Sequence, residues 1–168
     1  MIDVSEIVET WPELRGCTRG VREIAARASC ESATRNDVEI RPEHMLIAMI
    51  RLAMDGHRCL GAQTFAALQV DLRLFYLGVG KLTKRFGDMC TCWPRPNLDA
   101  KRLLENACRH SRSIDEFSIS EKGCGTGGLL LAFLDTPGSI PHHGFTVGLG
   151  LRRDDLLVTM NVVRKPEP

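Results

Sequence analysis

Residues 40–50, IRPEHMLIAMI, carry the strongest local signal for the fold of this 168-residue chain. Pro42 suits the first turn of a helix, where its missing N–H would have no intrahelical partner in any case. The apolar residues that follow recur at helical spacing on one face: Met45, Leu46, Met49 and Ile50. The stretch therefore predicts an amphipathic helix that begins at Pro42 and ends near Asp55 and Gly56.

The same pattern returns later in the chain, which indicates an internal duplication. Residues 124–134, CGTGGLLLAFL, align with residues 40–50 at a shift of 84 residues. Residues 97–104 align with residues 18–25 at a shift of 79. In this alignment the two helix-cap positions coincide, and apolar residues stand opposite apolar residues. The five-residue difference places an insertion within residues 111–122. A repeat of this length indicates two copies of one helical unit.

Helix caps and helix breakers divide the chain further. In the first copy, helices are expected at about 18–33, 42–55, 58–68 and 71–82, with Thr18 and Asp71 as N-caps. Glycine and proline then interrupt the pattern, and Asn97 is the expected cap of the next helix. We predict an N-terminal extension (1–16), a first repeat (17–83), a connector (84–96), a second repeat (97–163) and a tail (164–168).

The second repeat is rich in glycine, with eight glycines between residues 123 and 150. A glycine inside a helix costs about 1 kcal/mol relative to alanine. The second and third helices of this repeat are therefore expected to be shorter or looser than their counterparts in the first. We expect this half to depend for its order on packing against the first repeat, and on a partner or self-association as a homo-oligomer.

The composition disfavours several classes of function. Hydrophobic residues make up 43% of the chain, charged residues make up 26%, and the net charge is +1. This balance suits a globular protein and favours neither nucleic acid nor a membrane surface as partner. The N-terminal residues lack the features of a secretory signal, and no stretch approaches the roughly 18 apolar residues of a membrane span. We expect a cytoplasmic protein whose seven cysteines are reduced thiols, several of them small core residues.

The order of these motifs resembles the amino-terminal domain of the Clp ATPases, a double Clp repeat. The resemblance spans roughly residues 17–163 and is carried by residues 18–28, Ile40-Arg41-Pro42-Glu43-His44-Met45-Leu46, Leu68-Gln69-Val70-Asp71 and 100–105. It implies an all-α fold in which two pseudo-symmetric four-helix repeats pack into one compact domain. In that family the domain does no chemistry and captures substrate and adaptor proteins for an ATP-driven unfoldase. We expect this chain to act as a stand-alone module without the AAA+ ATPase.

The resemblance also marks Glu43 and His44 as candidate binding residues. Some members of the family recognise phosphorylated arginine with the glutamate of this Glu-His motif in each repeat. Glu43 stands in the first turn of a helix, where the helix dipole also favours a plain structural acid. For His44 the alternative is packing or capping at the helix start. The equivalent positions in the second repeat are Gly127 and Gly128, so we do not expect a two-site version of this activity.

Two glycine-containing stretches resemble nucleotide-binding loops, and we interpret both as structural. Residues 123–128, GCGTGG, match a dinucleotide-binding loop but lack the buried strand that should precede it. We interpret them as a helix start with Thr126 as the N-cap. Residues 77–82, LGVGKL, lack both the first glycine and the hydroxyl residue of a phosphate-binding loop.

The cysteines and histidines give no regular metal or catalytic pattern. Cys90, Cys92, His142 and His143 are residue types that can bind zinc, but their spacing is not that of a zinc finger. Cys108 and His110 are two residues apart on a helix and so point in different directions. We expect no metal site, no cofactor and no catalysis.

These observations favour a non-enzymatic protein-binding module in protein quality control. The expected partner is a protein, either a Clp ATPase, an adaptor or a substrate. An orphan structural or regulatory helical protein without a link to a Clp ATPase is the second interpretation. A nucleotide- or metal-binding protein is the third.

Overall fold

The structure is a computed structural model that describes residues 4–83, 93–113 and 124–164. An N-terminal helix, α1 (Val4–Thr10), precedes two sets of four helices. The first set is α2 (Arg19–Thr34), α3 (Pro42–Met54), α4 (Leu60–Ala67) and α5 (Leu72–Leu82). The second set is α6 (Leu98–Ser113), α7 (Thr126–Leu134), α8 (Ile140–His143) and α9 (Arg153–Arg164). The predicted all-α fold of two four-helix repeats is confirmed.

Two short parallel backbone pairings join the repeats. Strand β1 (Glu39–Ile40), just before α3, pairs in parallel with β2 (Arg95–Pro96), just before α6. Cys17, just before α2, pairs in the same way with Cys124, just before α7. These contacts were not predicted, because two-residue strands leave no alternating pattern in the sequence.

The two pairings are equivalent under the internal repeat. The N–H of Asn97 donates to the carbonyl of Ile40 (3.0 Å), and the N–H of Thr18 donates to the carbonyl of Cys124 (2.9 Å). Asn97 aligns with Thr18 at the shift of 79, and Cys124 aligns with Ile40 at the shift of 84. The same hydrogen bond therefore forms twice, which supports both alignments and the pseudo-symmetric arrangement.

One continuous core lies between the repeats. At its centre, Phe65 and Phe75 from the first repeat meet Phe133 and Phe145 from the second, with ring centroids 5.4–6.2 Å apart. Aromatic pairs at such distances add to the stability that burial alone provides. The two repeats therefore form one compact domain.

The residues placed in the N-terminal extension also belong to this core. Ile7 lies on α1, and Leu14 lies in the 3-10 turn Pro12–Gly16 that follows. Together with Trp11 between them, these side chains are fully buried. The described part of the extension, from residue 4 onward, thus contributes side chains to the core of the repeats.

Most of the predicted helix starts are correct. The carboxylate of Asp71 accepts two backbone N–H groups of α5 at 3.0 Å each, and Oδ1 of Asn97 accepts one from α6 at 2.8 Å. Helix α3 begins at Pro42 and α2 follows Thr18, although the Thr18 hydroxyl makes no capping hydrogen bond.

The prediction that Thr126 is the N-cap of its helix is wrong. Gly125 is the N-cap of α7, and Thr126 is the first helical residue. The Thr126 hydroxyl oxygen instead accepts the backbone N–H of Gly61 at 3.0 Å. The hydroxyl therefore joins α7 to α4 across the two repeats.

The expected shortening of the glycine-rich repeat is confirmed. Helix α7 has 9 residues where α3 has 13, and α8 has 4 residues where α4 has 8. A π-helical turn, Gly144–Gly148, continues α8. Residues 84–92 of the predicted connector lie outside the described residues, and its remaining part contains β2.

Candidate functional site

Glu43 is the second residue of α3 and is half-buried within an acidic group. Burial raises the pKa of its carboxyl group, while its own backbone N–H and the charge of Arg41 oppose the shift. The Arg41 guanidinium bonds the carboxylates of Asp37 (2.7 Å) and Glu39 (3.0 Å). The neighbourhood of Glu43 therefore already holds one guanidinium, which belongs to the chain itself.

His44 is fully buried and takes part in the start of α3. Its Nδ1 accepts the backbone N–H of Arg41, the N-cap residue, at 3.1 Å. Burial lowers the pKa of His44 to about 4, so the ring is neutral near pH 7. The structure places His44 in a capping position, where it does not reach the surface.

The second repeat caps the equivalent helix with a different residue. Gly125 corresponds to Arg41, and its N–H donates to Oγ of Ser111 on α6 at 2.9 Å. Gly128 stands in place of His44, and a Cβ there would lie 2.0 Å from that Oγ. The absence of a side chain at position 128 is therefore what lets the serine replace the histidine.

Gly127, the counterpart of Glu43, is buried. The position equivalent to Glu43 in the second repeat is therefore buried and carries no carboxylate.

Among the described residues, the other candidate ligands and catalytic groups have partners of a different kind. His110 pairs with Asp135 at 3.0 Å and not with Cys108, and Nδ1 of His142 bonds the carbonyl of Leu134. Cys90 and Cys92 lie outside the described residues. Residues 77–82 lie within helix α5, so they form no phosphate-binding loop. Helix α7 begins at Thr126 and includes the last three residues of the GCGTGG stretch.

Sequence reasoning missed an apolar groove, which we call the α5 groove. It lies between α5 and the turn that follows α8, and its volume is about 500 Å³. Its apolar lining comprises Leu74, Phe75, Gly78, Val79, Leu82, Gly144, Val147 and Leu149. Asp71, Lys81 and His143 contribute the polar rim.

The side chains at the edges of the α5 groove are strongly exposed. Leu74 is 67% exposed and Val147 is 68% exposed, although both are apolar. An exposed apolar patch of this kind commonly marks a site of protein interaction. The sequence LRLFYLGVGKL of α5 contains the signal, because its apolar residues outnumber those that one buried face requires.

The overall fold matches a known structure. The chain superposes on the N-terminal domain of the ClpV1 ATPase from the E. coli EAEC Sci1 T6SS with a TM-score of 0.63 and 20% identity, covering 96% of this chain and 93% of that chain. The fold is that of a Clp ATPase N-terminal domain. No protein-family model and no curated protein sequence matches the chain.

This Clp-N-like fold agrees with the resemblance seen in the motifs. At 20% identity the likeness is one of fold, and binding residues do not transfer by position. Each helix in residues 4–83, 93–113 and 124–164 is too short or too polar to cross a membrane.

Proposed function

We propose that this Clp-N-like domain is a non-enzymatic protein-binding module that takes an apolar helix of a partner protein into the α5 groove. The partner would be a Clp ATPase, an adaptor or a substrate, and the process would be protein quality control in the cytoplasm. The exposed apolar lining of the groove is the observation that carries this proposal. The fold supports it, because the similar structure is the N-terminal domain of an ATPase and not its catalytic part.

The shape of α5 favours a helix as the occupant. Leu74, Gly78 and Leu82 follow one another at steps of four residues, so they form one row along the groove. Gly78 leaves a gap in this row, because no atom of the described residues lies within 4 Å of the position of a Cβ. A large apolar side chain of a partner helix fits such a gap, as in other helix-in-groove complexes. Helix α5 has 11 residues, about 16 Å, which matches about three turns of a partner.

The experiment compares the wild-type protein with a variant whose groove is filled. Gly78→Leu places a side chain in the gap, and leucine is the better helix former, so the fold is not expected to suffer. Gly80→Ala is the matched control, because Gly80 lies on the same helix but outside the groove lining. The protein is titrated with purified Clp ATPases of the host. Further partners are identified by a photoreactive residue at position 74, which crosslinks the proteins that contact the groove.

We expect Gly78→Leu to weaken binding at least tenfold and Gly80→Ala to leave it unchanged. Equal binding by the wild type and Gly78→Leu would contradict the use of the groove. Binding to no partner, together with a monomer in solution, would favour the orphan structural protein. Concentration-dependent self-association that Gly78→Leu abolishes would assign the groove to a second copy of the chain.

Recognition of phosphorylated arginine is a second candidate function, favoured by the acidic group around Glu43. The ion pairs that Arg41 forms with Asp37 and Glu39 support this candidate, because they place carboxylates near Glu43 that bond a guanidinium. Titration of phosphoarginine into the wild type and Glu43→Ala tests it. Saturable binding that Glu43→Ala weakens is expected, and equal heats for both proteins would reject it.

A further inference from the structure

Three cysteines that are far apart in sequence meet in the structure. Cys17 and Cys124 face each other in one of the two parallel pairings between the repeats, and Cys108 comes from α6. Their three Sγ atoms all lie within 4.8 Å of one another. Cys17 is 5% exposed and Cys124 is 2% exposed, whereas Cys108 is half-buried. The cluster therefore sits at the edge of the core with one thiol toward solvent.

We propose that Cys17, Cys108 and Cys124 form a binding site for one thiophilic metal ion, such as Zn²⁺ or Cu⁺. Thiolates are the preferred ligands of both ions. A Zn–S bond length of about 2.3 Å places sulfur ligands about 3.8 Å apart in a tetrahedral site, so the thiols need to approach by at most about 1 Å. On binding, each thiol releases its proton to solvent and its sulfur donates an electron pair to the ion.

The internal repeat shows that the fold itself does not require these thiols. The equivalents of Cys17 and Cys124 in the other pairing are Pro96 and Ile40, and the equivalent of Cys108 is Ser29. The same backbone contact thus forms elsewhere in the domain without a single sulfur. Three cysteines at one of the two equivalent places need an explanation beyond packing.

The charges around the cluster favour an anionic metal–thiolate centre. The positive charge of Arg22 acts on Cys17, and that of Arg112 acts on Cys108. Nε of Arg22 is buried and has no hydrogen-bond partner among the described residues. Three thiolates with Zn²⁺ carry one net negative charge, and the two arginines oppose its cost of burial.

Among the described residues, no fourth histidine, cysteine or carboxylate joins the cluster. The half-buried side at Cys108 leaves room for water as a fourth ligand of Zn²⁺, whereas Cu⁺ is satisfied by three thiolates.

The test uses the full chain in a variant that keeps only the three thiols of the cluster. The other four cysteines are replaced together: Cys30→Ser, Cys59→Ser, Cys90→Ser and Cys92→Ser. The reduced, metal-free protein is titrated with Zn²⁺, with Cd²⁺ as a spectroscopic probe, and anaerobically with Cu⁺. Native mass spectrometry counts the bound ions, and competition with chelators gives the affinity.

We expect one ion per chain, a sulfur-to-cadmium charge-transfer band, and a melting temperature that rises with the metal. Cys108→Ser in this background is expected to lower the affinity at least about 100-fold, since the loss of a ligand exceeds the effect of losing a supporting residue. Cys108 is half-buried, so circular dichroism should show an unchanged fold. The Zn²⁺ and Cu⁺ titrations decide which ion binds more tightly.

The proposal is overturned if the folded variant binds none of the three ions, or if Cys108→Ser binds them with unchanged affinity. It is also overturned if the reduced thiols form a disulfide in air at a rate that Zn²⁺ does not slow. Because the cluster lies outside the lining of the α5 groove, loss of metal binding would leave the proposed protein binding untouched.

Discussion

Replacing Gly128 by alanine should destabilise the domain, although alanine is the better helix former. Gly128 lies where α7 packs against α6. An added Cβ would lie 2.0 Å from Oγ of Ser111, 2.4 Å from the carbonyl oxygen of Ala107 and 2.9 Å from the backbone nitrogen of Ser111. Two of these three atoms belong to the backbone. The clash therefore cannot be relieved by rotating one side chain, and the two helices must separate.

The magnitude follows from three contributions. Forcing extra volume into a packed contact costs about 1–3 kcal/mol. Moving Ser111 away breaks its 2.9 Å bond from the N–H of Gly125 and leaves a buried donor without a partner, at about 1–3 kcal/mol. Alanine in place of glycine returns about 1 kcal/mol of helix propensity. The net expectation is a loss of about 3 kcal/mol in the free energy of unfolding.

Urea unfolding followed by circular dichroism measures this loss. The control is Gly78→Ala, a helical glycine with no atom within 4 Å of the added Cβ, which should gain up to about 1 kcal/mol. Ser111→Ala should lose about 1–3 kcal/mol, because it removes the hydroxyl that accepts the buried N–H of Gly125. If Gly128→Ala changes the free energy of unfolding by less than about 0.5 kcal/mol, or stabilises the domain as Gly78→Ala does, the close contact between α6 and α7 is refuted.

Two further predictions concern buried residues near the N-terminal half. The pKa of His44 is about 4 in the folded chain and 6.5 when unperturbed. Between pH 6.5 and pH 4 the unfolded chain therefore binds a proton that the folded chain does not. As the pH falls through this range, up to about 3 kcal/mol of the free energy of unfolding is lost. In His44→Gln this pH dependence should be shallower, and an unchanged slope in urea titrations would contradict it. Trp11→Ala should cost about 3–5 kcal/mol because the side chain is fully buried, whereas Trp11→Phe should cost much less. Equal stability of both Trp11 variants would mean that residues before the first repeat lie outside the cooperative fold.

The parts of the fold that the sequence predicted depend on local chemistry. Asp71 and Asn97 cap the helices that immediately follow them, and Pro42 begins its own helix. Such signals act over three or four residues, so they can be read along the chain. The duplication was visible for the same reason, because each copy carries the same local signals in the same order.

The parts that the sequence did not predict depend on contacts between distant residues. Thr126 has the side chain of an N-cap, but its hydroxyl bonds Gly61 of the other repeat. Gly125 is capped by Ser111, which lies 14 positions earlier on another helix. The cysteine cluster joins positions 17, 108 and 124, and no spacing rule links residues so far apart. Only the packing of one repeat against the other brings these groups together.

The glycines of the second repeat connect these observations to the candidate site. Helix α4 packs along α9, whereas its counterpart α8 has four residues, ends at His143 and continues into the π-helical turn Gly144–Gly148. The π-helical turn forms one wall of the α5 groove through Gly144, Val147 and Gly148, and α5 forms the other. The second repeat thus has Gly127 and Gly128 in place of the Glu-His motif, and it contributes a π-helical turn to the groove. The proposed binding site therefore lies where the two repeats differ, and not in the motif by which the first repeat was recognised.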